Sequence, residues 1–159
     1  MVSREIYEAK VSVASPAQLV IINFEFIIES LNYALEALDE ADANKTKYRD
    51  NVALAAKGVQ HLIRGLNYDV AMSQDFNDLY RYSNKLLNNA YFSPAPEPVK
   101  EVLEIMNLLH EGWKQAAAQV DKASPNTPGG RPQVYSGLTY GRDGLEEYAM
   151  EDESRGFKA

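Results

Sequence analysis

The most apolar stretch of the chain, Leu19-Val20-Ile21-Ile22-Asn23-Phe24-Glu25-Phe26-Ile27-Ile28, follows directly on Ser15-Pro16-Ala17-Gln18. A serine N-cap, a proline at the first helical position and a glutamine three residues after the cap together mark a helix start. The pattern predicts a helix to about Leu38. At the helical period, Val20, Phe24, Ile27, Leu31, Leu35 and Leu38 recur at spacings of four and three, with Ile21 and Ile28 beside them. That row is the seam expected to face a core. Leu19, Ile22, Phe26 and Tyr33 fall on the opposite side. A surface helix normally needs a single apolar stripe. The second stripe must therefore be covered by other helices of the chain, by a second copy, or by an apolar segment of a partner.

Three more helical patterns follow. A second helix is expected from about Lys45 to Val70, with an inner row of Val52, Ala55 or Ala56, Val59, Leu62 or Ile63, and Leu66. Gly58 and Gly65 share one face of it, and each costs about 0.5–1 kcal/mol relative to alanine. Glycines there would admit a neighbouring helix of the bundle, the expected reason, or a partner helix at close range. A third helix is expected from Ser73, as N-cap, to about Ala90, burying Phe76, Leu79, Tyr80, Ser83, Leu86 or Leu87, and Ala90. Ser93-Pro94-Ala95-Pro96-Glu97-Pro98 breaks the chain. Pro98 then suits the start of a fourth helix to about Val120, with Val99, Val102, Leu103, Met106, Leu109, Trp113, Ala116 and Ala117 in its row. No strand-like alternation competes with these patterns. The reading is all-α: an antiparallel four-helix bundle over residues 15–120. Residues 1–14 are expected as a flexible lead-in. Residues 121–159, opened by the Pro/Gly-rich run from Pro125 to Pro132, are expected as a disordered tail.

Composition narrows the function. A hydrophobic content of 45% is ample for one core, and the formal charge of −7 argues against binding a phosphate backbone. With no cysteine there is no disulfide framework and no thiol chemistry, which is compatible with a reducing cytosol. The first residues lack a signal-peptide pattern, and the longest apolar run is too short for a membrane span. His61 and His110 stand alone on different helices, without the carboxylate spacing of a metal site, and are expected at the solvent or the boundary. No phosphate loop, His-Glu-x-x-His motif or nucleophile elbow occurs. Glu25, Glu29, Arg49, Arg64 and Arg81 are read as a solvated face rather than a pocket lining. No catalytic, cofactor or metal site is expected.

Three motifs, in order and spacing, resemble the FliS family of flagellin export chaperones. Tyr7 precedes Val13-Ala14-Ser15-Pro16-Ala17-Gln18-Leu19. The third helix carries Leu79-Tyr80-Arg81-Tyr82, then Leu86 and Asn89-Ala90. The fourth carries Val102, Leu108, Leu109 and Trp113-Lys114-Gln115-Ala116. The likeness spans about residues 7 to 117. It departs from the family at Asn23-Phe24-Glu25-Phe26, where Leu-Tyr-Asp-Gly is usual, and at Met72-Ser73-Gln74-Asp75, where a Gly-Gly is usual.

The resemblance implies a cytoplasmic chaperone without a cofactor. Its partners would be the disordered C-terminal segment of flagellin, kept from premature polymerisation, and the flagellar export gate. Leu19, Ile22, Phe26 and Tyr33, with Leu79, Tyr80 and Tyr82, are the expected groove residues. Ile6 and Tyr7 are expected, by the same resemblance, to cap the groove until the client arrives. The alternative is a structural or signalling bundle that forms a homodimer through the same apolar surface.

Overall fold

The start of the long apolar helix closes as the spacing requires. In a computed structural model of the protein, the Gln18 backbone N–H donates to Ser15 Oγ at 3.3 Å, and the Ser15 N–H donates to Gln18 Oε1 at 2.9 Å. The structure describes residues 4–39 and 43–123. They form α1 (Arg4–Val13), α2 (Pro16–Asp39), α3 (Lys45–Arg64), α4 (Ala71–Phe92) and α5 (Pro96–Ala123), and no strand occurs among the described residues. The expected tail lies outside them from residue 124 onward.

α2 packs on α3 and α5, and α4 closes the ring by packing on the same two helices. Neighbours run in opposite directions. Asn23, early in α2, donates through Nδ2 to the carbonyl of Gly58, late in α3, at 2.9 Å. The Tyr48 hydroxyl, early in α3, donates to the carbonyl of Ala95 ahead of α5 at 2.9 Å. Arg49 donates to the carbonyl of Tyr91, late in α4, at 3.0 Å. The core joins Val20, Phe24, Ile27 and Leu31 of α2 to Val52, Val59 and Leu62 of α3, Tyr80 and Leu87 of α4, and Val102, Met106 and Trp113 of α5. Toward the end of α2 the buried positions drift to Ala34 and Ala37, and Leu35 and Leu38 are only half-buried. Small side chains at that end let the neighbouring helices approach closely.

Gly58 of α3 lies close against Asn23 and Ile27 of α2. A Cβ placed there would lie 2.5 Å from Ile27 Cγ1, on a side chain that is itself fully enclosed. The glycine is therefore needed by the contact between α2 and α3.

Several expectations are corrected. The lead-in over residues 1–14 is helical from Arg4 to Val13: Tyr7 rests on Phe26 of α2, Val11 one turn on is half-buried, and the Arg4–Glu8 pair spans the exposed side. Five helices are described, not four. α3 stops at Arg64, with Gly65 as its C-cap in an ordinary right-handed conformation. α4 starts at Ala71 behind Val70, and Ser73 is buried inside the helix instead of capping it. α5 starts at Pro96 and runs to Ala123, past the expected end. His61 is buried, at 5% exposure, on the inner face of α3. Its neighbours Gly58, Val59 and Leu62 are buried with it, and that broad apolar face encloses the imidazole.

Candidate binding face

The outer stripe of α2 is where the surplus apolar surface lies, and α1 lies upon it. Ile22, Phe26 and Tyr33 are half-buried there. The Tyr7 ring meets Phe26 edge to face, with centroids 5.3 Å apart and planes at 89°. Such pairs contribute about 0.5–1.5 kcal/mol beyond the area they bury. The Tyr7 hydroxyl donates to Glu29 Oε2 at 2.6 Å. Lys10 Nζ, which also sits 5.3 Å from the Tyr7 ring centroid, reaches Glu25 Oε2 at 3.3 Å. Glu25 and Glu29 lie four apart on α2 and bracket Phe26, so the two carboxylates frame the apolar contact and α1 answers each with a donor.

Burial pushes the Tyr7 hydroxyl well above the usual tyrosine range, and the hydrogen bond and charge of Glu29 raise it further. The phenol therefore stays protonated and keeps donating. On the other side of Glu25, His110 of α5 places Nε2 3.8 Å from Glu25 Oε1. Burial holds this imidazole below the usual histidine range, helped by Lys114 and opposed by Glu25 and Glu111. It is predominantly neutral at neutral pH.

The residues expected in the groove separate into distinct environments. Leu19 is buried, at 6% exposure, apart from the central core cluster. Ile22, Phe26 and Tyr33 share the α2 face under or beside α1, and Tyr33 is close enough to add to the upward shift of Tyr7. Tyr80 is corrected: it is fully enclosed in the core, 6.5 Å from the Phe24 ring and 6.1 Å from Phe76. Leu79 is half-buried on α4, and Tyr82 is exposed, its hydroxyl donating to Glu101 of α5. α4 sits diagonally across the bundle from α2, so these residues do not join the α2 stripe. Ile6 is corrected as well. It is 57% exposed and leaves the covering of Phe26 to Tyr7. The sequence reading passed over Lys10, Glu25 and Glu29 as partners of this face. The available signal was the pair of acids one turn apart around an aromatic residue.

Among the described residues no group of three His, Cys, Asp or Glu side chains is placed to hold a metal ion, and no helix is long and apolar enough to cross a membrane.

The family model described as Flagellar protein FliS matches residues 3–120. The chain belongs to the FliS family. The match takes in α1 and most of α5, so the small helix on the α2 face is as much part of the FliS unit as the bundle is. Residues 121–159 lie beyond it. A comparison with curated proteins gave no match.

Proposed function

We propose that this FliS protein is a cytoplasmic flagellar export chaperone. It receives the C-terminal segment of flagellin on the outer face of α2, prevents premature polymerisation, and delivers the client for export. The observation that carries the reading is the way α1 sits. It has ten residues, none of them buried, yet it covers Phe26.

An isolated helix of this length is marginal in water. The contacts that hold α1 include a ring contact, a hydrogen bond to a carboxylate, and an exposed ion pair contributing about 0–1 kcal/mol. A client segment that covers Ile22, Phe26 and Tyr33 gains about 1.5–3 kcal/mol per apolar side chain in gross transfer terms. Ordering that segment costs about 2–5 kcal/mol or more. The terms are of similar size, so α1 and client can exchange on the same face. This is helix-in-groove recognition coupled to folding of the client.

The test is a calorimetric titration of the full chain with a peptide from the flagellin C-terminus. Phe26→Asp is expected to abolish binding while the bundle stays folded, far-UV circular dichroism losing no more helix than the ten residues of α1, because Phe26 is only half-buried. Wild-type affinity in the folded variant would sink the assignment. Sedimentation over a range of concentrations separates the homodimer reading, which requires a tight dimer that the peptide does not dissociate.

A further inference from the structure

α1 meets the α2 face with two donors, one for each carboxylate that brackets Phe26. The Tyr7 ring lies on Phe26, its hydroxyl donates to Glu29, and Lys10, three residues on, pairs with Glu25. The later residue of α1 reaches the earlier residue of α2, so the two helices run in opposite directions. Residues three or four apart are neighbours on one side of a helix, about 5–6 Å between Cβ atoms. The spacing of Tyr7 and Lys10 on α1 therefore matches the one-turn spacing of Glu29 and Glu25 on α2.

The two carboxylates are answered differently. Glu29 takes a neutral hydroxyl, whereas Glu25 takes a cation. On the far side of Glu25 stands His110, 3.8 Å away, and burial holds that imidazole below the usual histidine range. A neutral imidazole brings no compensating charge. Once α1 leaves, the charge of Glu25 is met by water and by this neutral ring.

Any segment that covers Phe26 also lies over Glu25. A purely apolar cover would strip water from the carboxylate and return no partner, which is unfavourable. An acidic cover would add repulsion. A cover with a base where Lys10 now sits restores the pairing that α1 provides. The face is therefore apolar in what it grips and anionic in what it tolerates alongside.

We propose that the client segment that displaces α1 is a helix antiparallel to α2, with an apolar or aromatic anchor on Phe26 and a lysine or arginine three or four residues after it, against Glu25. This rests on the client reading above and adds the chemistry by which the face selects among apolar segments. Segments with the anchor but without the base bind more weakly, and segments with an acid in its place are disfavoured further.

The test is a double-mutant cycle on the full chain. The flagellin C-terminal peptide is titrated against wild type and Glu25→Gln, as it is and with each lysine or arginine replaced in turn by glutamine. Loss of Glu25 also loosens α1, but that factor is common to every peptide and cancels in the cycle. A parallel cycle between Phe26→Ala and alanine replacements in the peptide identifies the anchor. The expected result is one base whose removal weakens binding to wild type by about two- to fivefold and binding to Glu25→Gln not at all. It should lie three or four residues after the anchor. Glu25→Lys should then prefer the peptide with glutamate at that position. Equal effects of every base on both chains would overturn the inference. So would a coupled base that precedes the anchor, or a Glu25→Lys chain without the reversed preference. In those outcomes Phe26→Asp still abolishes binding, and the client reading stands. A peptide that binds neither chain, or binds Phe26→Asp as well as wild type, would sink the client reading and this inference with it.

Discussion

Replacing Tyr7 with Phe deletes one oxygen and leaves the ring in place on Phe26. The lost hydroxyl donates to Glu29 Oε2 at 2.6 Å in a half-buried setting. Hydrogen bonds to charged groups contribute about 1.5–3 kcal/mol. Glu29 is half-buried and regains some hydration once the donor is gone. The expected loss in the docking of α1 is therefore near the lower end, about 1–2 kcal/mol, which shifts the docked-to-undocked ratio by a factor of about 5–30. Global stability should change much less, because α1 contributes no buried residue. Two measurements on the same variant check this: amide hydrogen exchange over Arg4–Val13, and titration with the flagellin C-terminal peptide. If the client must displace α1, the variant should bind more tightly, by up to the same factor. Faster exchange in α1 with unchanged affinity would refute the claim that α1 covers the client site. Unchanged exchange would refute the claim that the Tyr7–Glu29 bond holds α1. There is also a pH signature. The folded-state hydroxyl is held above its usual range, so its contribution is fully present below the ordinary tyrosine value of about 10 and is lost as pH rises beyond it. The Phe variant should lack that loss.

His110 supplies an opposite dependence. Its imidazole is depressed in the folded state, so the unfolded chain takes up the proton first, and stability falls as pH drops below the ordinary histidine value of about 6.5. Urea midpoints between pH 7.5 and pH 5.5 should decline less in His110→Gln than in wild type, and an unchanged slope would remove His110 as the cause. Gly58→Ala sets an overpacking cost of about 1–3 kcal/mol against Ile27. The opposing gain in helix propensity is close to 1 kcal/mol. A net loss of about 0–2 kcal/mol is expected in denaturant unfolding, and clear stabilisation would contradict the close contact of α2 and α3.

Much of the bundle was legible along the chain because the interactions that start and stop helices are local. Ser15 and Gln18 are three residues apart and close their box whatever lies elsewhere in the molecule. The apolar rows of α3 and α5 name their buried faces because side chains three and four apart share a side of the helix. The Pro94 to Pro98 run separates α4 from α5 for an equally local reason, although the first helical turn begins at Pro96 rather than Pro98. The surplus apolar stripe of α2 was also visible, since counting the stripes requires only the helical period.

What covers each stripe is a matter of tertiary structure. A row containing Tyr80 and a nearby exposed Tyr82 reads alike in sequence, but the rotation of α4 puts one in the core and leaves the other at the surface. His61 is polar by composition and buried by position. The helix of α1 is too short to be stable by itself, so its formation depends on the α2 face that Tyr7 finds. Periodicity reports which residues lie together on one element. Only the packed structure decides which element lies opposite, because that choice rests on contacts such as Gly58 on Ile27 and Tyr7 on Phe26, between residues far apart in the chain.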